Sequence, residues 1–151
     1  MSAGVNGYDG LERGVLELQA ATEPDEVIRW AWFVSDQGER GCLAVIRTEA
    51  MADSLSVLLT AADVFASCRL AVETAEGFDP ITAVIDQKPV VSAPDPSLLT
   101  TAASALSQVC TRHAGTATTA SDGLALWAVA GMAYAAAVAL TKAGSGADHL
   151  R

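Results

Sequence analysis

The sequence predicts an all-α protein: a single-domain bundle of about five to six helices, with a central alanine-rich helix near the C-terminus. Three observations carry this. Gly123 to Leu140 runs eighteen residues without a charge, and eight of them are alanine. Cys42 to Glu76 contains neither proline nor glycine. Acidic-proline punctuation recurs at Glu23-Pro24, Asp79-Pro80 and Asp95-Pro96. It favours a helical first turn, where proline needs no backbone N–H and acidic groups meet the positive end of the helix dipole.

Taken in order, Met1 to Gly7 is small and polar and is expected to fray. Tyr8 to Ala20 places Leu11, Val15 and Leu18 on one face of a short amphipathic helix. Thr22, Glu23, Pro24 and Asp25 read as the start of the next, with Thr22 as the cap. The segment from Val27 to Val34 is dense in aromatics, and Gly38 and Gly41 are expected to bracket a break. Cys42 to Glu76 as one helix would be about 50 Å long, so a bend is expected near Glu49 to Asp53, with Gly77 ending the run. Pro80 to Ile85 forms a short segment that Pro89 terminates. Pro96 to about His113 forms a helix with Leu99, Ala102, Leu106, Val109 and Cys110 along one face; Gly115 closes it, and a loop follows to Ala120.

The last helix is read with Ser121 as N-cap, Lys142 near its negative end and Gly144 as its stop. Leu124, Trp127, Gly131, Tyr134 and Val138 form one stripe at 3.6-residue periodicity, and Leu126, Val129, Ala133, Ala136 and Leu140 form another opposite. Ala125, Ala128, Met132, Ala135 and Ala139 make a small strip between them. Two bulky faces predict neighbours on most sides, and the small strip predicts one close approach. The tail from residue 144 to 151 is expected to be mobile. An α+β alternative places strands at Ile28–Val34 and Cys42–Thr48, a hairpin within residues 27–48. The helix-start signal and the unbroken run after Cys42 favour helices.

Composition narrows the function classes. The chain is 51% hydrophobic and 18% charged, with a net charge of −9. So much apolar material on a small domain predicts self-association or a partner protein. The nine basic residues are scattered, which excludes a phosphate-backbone partner and with it nucleic acid. Residues 123–140 are long enough for a bilayer core. Alanine and glycine, however, contribute little insertion energy, and only Lys142 and Arg151 flank the C-terminal end, so no membrane span is expected. Asp9, Glu12, Arg13 and Glu17 interrupt any signal-like apolar run. Three widely spaced cysteines, Cys42, Cys68 and Cys110, suit core positions in a reducing cytoplasm.

No assembled chemistry is visible. Cys110 and His113 are three apart on a helix, but no second close pair completes a metal set. Glu-x-x-His pairs, Gly-x-Gly-x-x-Gly, the phosphate loop and His-Glu-x-x-His are absent. No metal or other cofactor is expected. Asp53, Ser56, Thr60, Asp63 and Ser67 form a polar stripe that either faces solvent or turns inward as a slot. In the second case Asp53, Thr60, Asp63, Arg69 and His113 are the candidate ligand-binding residues. Trp30, Trp32 and Phe33 are candidate interface residues: Trp30 and Phe33 share a helix face, Trp32 points elsewhere, and one of the three is expected to meet a partner. The resulting expectation is a non-catalytic helical protein acting as a homo-oligomer or accessory subunit. The competing expectation is a small helical enzyme or small-molecule-binding protein built around that slot.

Overall fold

The computed structural model describes residues 9–48, 52–86 and 93–149, with side chains over 10–48, 55–83 and 93–142. Six helices and no strand are present among the described residues: α1 (Asp9–Ala20), α2 (Pro24–Thr48), α3 (Ala52–Glu73), α4 (Pro80–Asp86), α5 (Pro96–Ala114) and α6 (Ala120–His149). The hairpin alternative is overturned, because both of its strands lie inside α2. The bend expected near Glu49 to Asp53 falls between α2 and α3, with residues 49–51 outside the described set. Met1 to Gly7 lies outside it too.

The helix starts follow the acidic-proline signals, although two caps differ from expectation. At α2 the Glu26 carboxylate turns back to accept the Glu23 N–H at 3.2 Å, half of a capping box, so Thr22 is not the cap. Asp95 caps α5 by accepting the Ser97 N–H at 3.0 Å. Thr119, not Ser121, caps α6: its hydroxyl accepts the Asp122 N–H at 3.1 Å. The C-terminal stop is also corrected. α6 runs through Gly144 and Gly146 to His149. An interior glycine costs a helix only about 1 kcal/mol, and ends it cleanly where the backbone turns left-handed. No described glycine has a positive φ.

The break expected at Gly38 and Gly41 does not occur; α2 runs straight through both for 25 residues. Gly38 instead provides clearance. A Cβ there would lie 2.6 Å from Cδ1 of Phe65 on α3, and one at Gly14 of α1 would lie 2.7 Å from Cδ1 of Phe33 on α2. Each glycine is a notch that receives an aromatic ring and lets two helix axes close up.

α2 packs on α3, α1 leans on α2 and α5, and α6 lies against α5 and α3. One apolar cluster draws residues from all six helices, from Leu11 of α1 to Leu140 of α6. α3 and α6 run antiparallel, pinned where they meet: the Gly77 N–H donates to Asp122 Oδ1 at 3.0 Å, and the Ser121 hydroxyl donates to the Thr74 carbonyl at 3.0 Å. The middle of α2 buries polar Ser35, Asp36 and Gln37. Ser35 donates to the Ala31 carbonyl at 2.7 Å, and Asp36 pairs with Arg40 at 3.1 Å.

Candidate functional site

α6 has no polar face, yet only one side of it is enclosed. Leu126, Val129, Ala133, Ala136 and Leu140 are buried against α3 and α5, as their stripe predicts. The opposite stripe is bare. Leu124 is 70% exposed, Trp127 55%, Tyr134 64% and Val138 40%. Gly131 lies in the middle of this stripe, with nothing within 4 Å of where a Cβ would be. Enclosure on most sides is therefore corrected to enclosure on one. The predicted small strip is divided: Ala125 is buried and Met132 packs partly on the core, while Ala128 and Ala135 are exposed beside the bare stripe.

Two shallow clefts open between α5 and α6 along this face. One, of about 430 Å³, is bounded by Ala114, Thr118, Thr119, Gly123, Leu124 and Trp127. The other, of about 380 Å³, is bounded by Ser104, Ser107, Gln108, Tyr134, Val138 and Lys142. The face thus carries an apolar ridge with a hollow at each end, and among the described side chains of α6 its charged residue is Lys142 at the rim.

The candidate ligand residues are not gathered. Thr60 and Asp63 are exposed on the outer side of α3 with Ser56 and Ser67, so the stripe faces solvent and walls no slot. The side chain of Asp53 lies outside the described residues. Arg69 turns towards α2, pairing with Glu39 at 3.2 Å and with Glu73 at 3.5 Å, while Glu73 also accepts the Trp32 indole N–H at 2.8 Å. That chain of contacts ties α2 to α3. His113 is half-buried in the last turn of α5, where its carbonyl accepts the Gly115 N–H. Neither Arg69 nor His113 lines the clefts beside α6.

The candidate interface aromatics are also displaced. Trp30, Trp32 and Phe33 are 7%, 7% and 3% exposed, so all three belong to the core. Trp30 meets Phe33 edge to face at 5.4 Å, and the guanidinium groups of Arg13 and Arg29 lie 5.6 and 5.0 Å from its ring. Among the described residues the exposed aromatics are Trp127 and Tyr134. Their stripe was visible in the sequence, but its chemistry could not show which of two apolar faces the bundle would cover.

A third cleft, of about 320 Å³, lies where α2 begins, between Asp25, Arg29, Phe78, Asp79 and Thr82. Asp79 accepts from the Thr82 hydroxyl at 2.7 Å and the Ile81 N–H at 3.0 Å, and these bonds hold its carboxyl below the usual range. They cap α4. Cys42, Cys68 and Cys110 are free thiols in the core, and burial pushes Cys42 and Cys68 up to about 12. No group of three or more His, Cys, Asp or Glu side chains is placed to hold a metal ion among the described residues.

The fold and this surface define a helical bundle with an uncovered apolar face on α6, while α3 also exposes Leu55, Leu59 and Leu70. Comparison with protein-family models, curated proteins and solved structures gives no match.

Proposed function

We propose that this is a non-catalytic association protein, a homo-oligomer that assembles through the outer face of α6. The carrying observation is the uncharged stripe of Leu124, Trp127, Tyr134 and Val138, exposed on a molecule whose net charge is −9. Contiguous apolar surface rimmed by polar residues marks interaction sites, and tryptophan and tyrosine are favoured at interface centres. A second copy meets this stripe without the like-charge repulsion that a net charge of −9 sets up elsewhere between copies. Free, buried cysteines accord with a reducing cytoplasm.

Lipid is the weaker occupant. Two helices, over Leu55–Glu73 and Ala120–Lys142, are long and apolar enough to cross a membrane by length and composition. The first, however, turns Asp63, Ser56, Thr60 and Ser67 outward, where lipid would penalise them. The second has Lys142 as its single basic residue, and surface binding to anionic lipid calls for several.

Sedimentation equilibrium from sub-micromolar to high micromolar concentration tests the proposal. The expected result is a reversible rise from 15.5 kDa to twice that mass in detergent-free buffer. A single monomer mass throughout, or partition of the protein into vesicles, overturns it.

A further inference from the structure

Resting on that reading, the geometry points to the form of the contact: α6 of one copy packs antiparallel on α6 of a second, each Trp127 ring seated over the other's Gly131. Leu124, Trp127, Gly131, Tyr134 and Val138 are spaced alternately by three and four residues, the pattern of a two-helix seam. Within that seam the residues are unequal. The largest side chain stands four residues from one with no side chain, and nothing in its own fold fills the space over Gly131.

A twofold axis across the helix pairs large with small. When Trp127 is level with Gly131 of the second copy, Gly131 is level with Trp127 of the second copy, and Leu124 with its Tyr134. All three of the most exposed large residues on α6 are then covered, and Val138, the least exposed of the four at 40%, falls outside. Ala128 and Ala135 flank the seam on one side and let the backbones approach. The twofold also carries the hollow at each end of the ridge to the opposite end of the second copy's ridge. A parallel pair has no such match, because it sets Trp127 beside Trp127 and leaves Gly131 over Gly131.

The size of the surface sets the strength. Half the circumference of a helix about 10–12 Å across, over about 21 Å of length, amounts to roughly 350 Å². That is under half of the roughly 800 Å² per partner in a standard stable interface. A reversible dimer follows rather than a permanent one.

The test is a size change at Gly131 joined to a cysteine scan. Gly131→Leu adds an apolar group to an exposed apolar face, which would strengthen non-specific association. Over a notch it must instead weaken dimerisation, by about tenfold or more. The monomer fold is spared, because no atom lies within 4 Å of that Cβ, and circular dichroism checks this. Leu124→Cys and Tyr134→Cys, each alone, should not cross-link under mild oxidation, since identical positions are separated by about 15 Å along the axis. Mixed together they should cross-link; the native thiols are buried and stay out of the reaction. A wild-type dimer that tolerates Gly131→Leu, a single variant that cross-links with itself, or a mixture that does not, overturns this arrangement and leaves self-association standing. A wild type that is monomeric at every concentration overturns both.

Discussion

The ring of Phe65 lies directly over the backbone of Gly38, where a Cβ would be 2.6 to 2.8 Å from three of its carbons. Phe65 is 1% exposed, so the ring has no free space into which to retreat. Gly38→Ala should therefore destabilise the protein by about 1–3 kcal/mol through overpacking, despite a gain of up to about 1 kcal/mol in helix propensity. Gly131→Ala supplies the control. With open space at its Cβ, it should stabilise the monomer by about 0.5–1 kcal/mol. Urea unfolding of the two variants checks the opposite signs.

Asp122→Ala should cost about 1–3 kcal/mol, because it leaves the Gly77 N–H without its acceptor. Asp122 is 3% exposed, so water cannot readily replace the carboxylate. Asp122→Asn keeps an oxygen at that position and should recover part of the loss. Hydrogen exchange at the Gly77 amide gives a local readout: protection there should fall in Asp122→Ala and persist in Asp122→Asn.

Cys42 and Cys68 should react with thiol reagents only after unfolding, since burial holds both as neutral thiols with pKa pushed up to about 12 from 9.0. The sign for stability follows from linkage. Below about pH 9 the thiols are neutral in both states and the stability is intact. Between 9 and 12 the unfolded chain ionises first, and stability falls as pH rises. A native thiol titrated within minutes at pH 8 would contradict this.

Trp127→Ser and Trp30→Ala should separate assembly from folding. The first removes an exposed ring and should change monomer stability by less than about 0.5 kcal/mol while weakening the dimer. The second opens a cavity beneath Arg13 and Arg29 and should cost about 3–5 kcal/mol. Emission offers a direct check, because Trp127 is the one exposed tryptophan of the three. Its spectrum should shift to the blue as protein concentration rises, and Trp127→Ser should abolish that shift.

What was legible in the chain was the punctuation and the periodicity. Acidic-proline pairs mark α2, α4 and α5 because capping is local chemistry, and the buried stripe of α6 follows from helix geometry. Gly38 misled because glycine has two uses: in isolation it breaks a helix, while against Phe65 it lets a helix be approached. Only the tertiary neighbour decides between them. The aromatics misled similarly. Trp30, Trp32 and Phe33 cover several directions around α2, but α2 is enclosed by α1, α3 and α5 and has room for all of them in the core. The polar stripe with Thr60 and Asp63 took its simpler outcome, facing water on the outer side of α3.

With a neutral surface all the way round from Gly123 to Leu140, α6 pays no electrostatic penalty for rolling about its own axis. Chemistry alone would let it present either apolar face to the bundle. Its angular setting is therefore indexed from one end, like a shaft held by a key: Thr119 closes the first turn, Ser121 reaches the Thr74 carbonyl and Asp122 clasps Gly77. The two bonds to Thr74 and Gly77, both made within the first few residues of the helix, select which apolar face is turned outward. Whether Trp127 and Tyr134 turn outward or into the bundle is thus decided about one turn away from the nearer of them, by hydrogen bonds that neither ring touches.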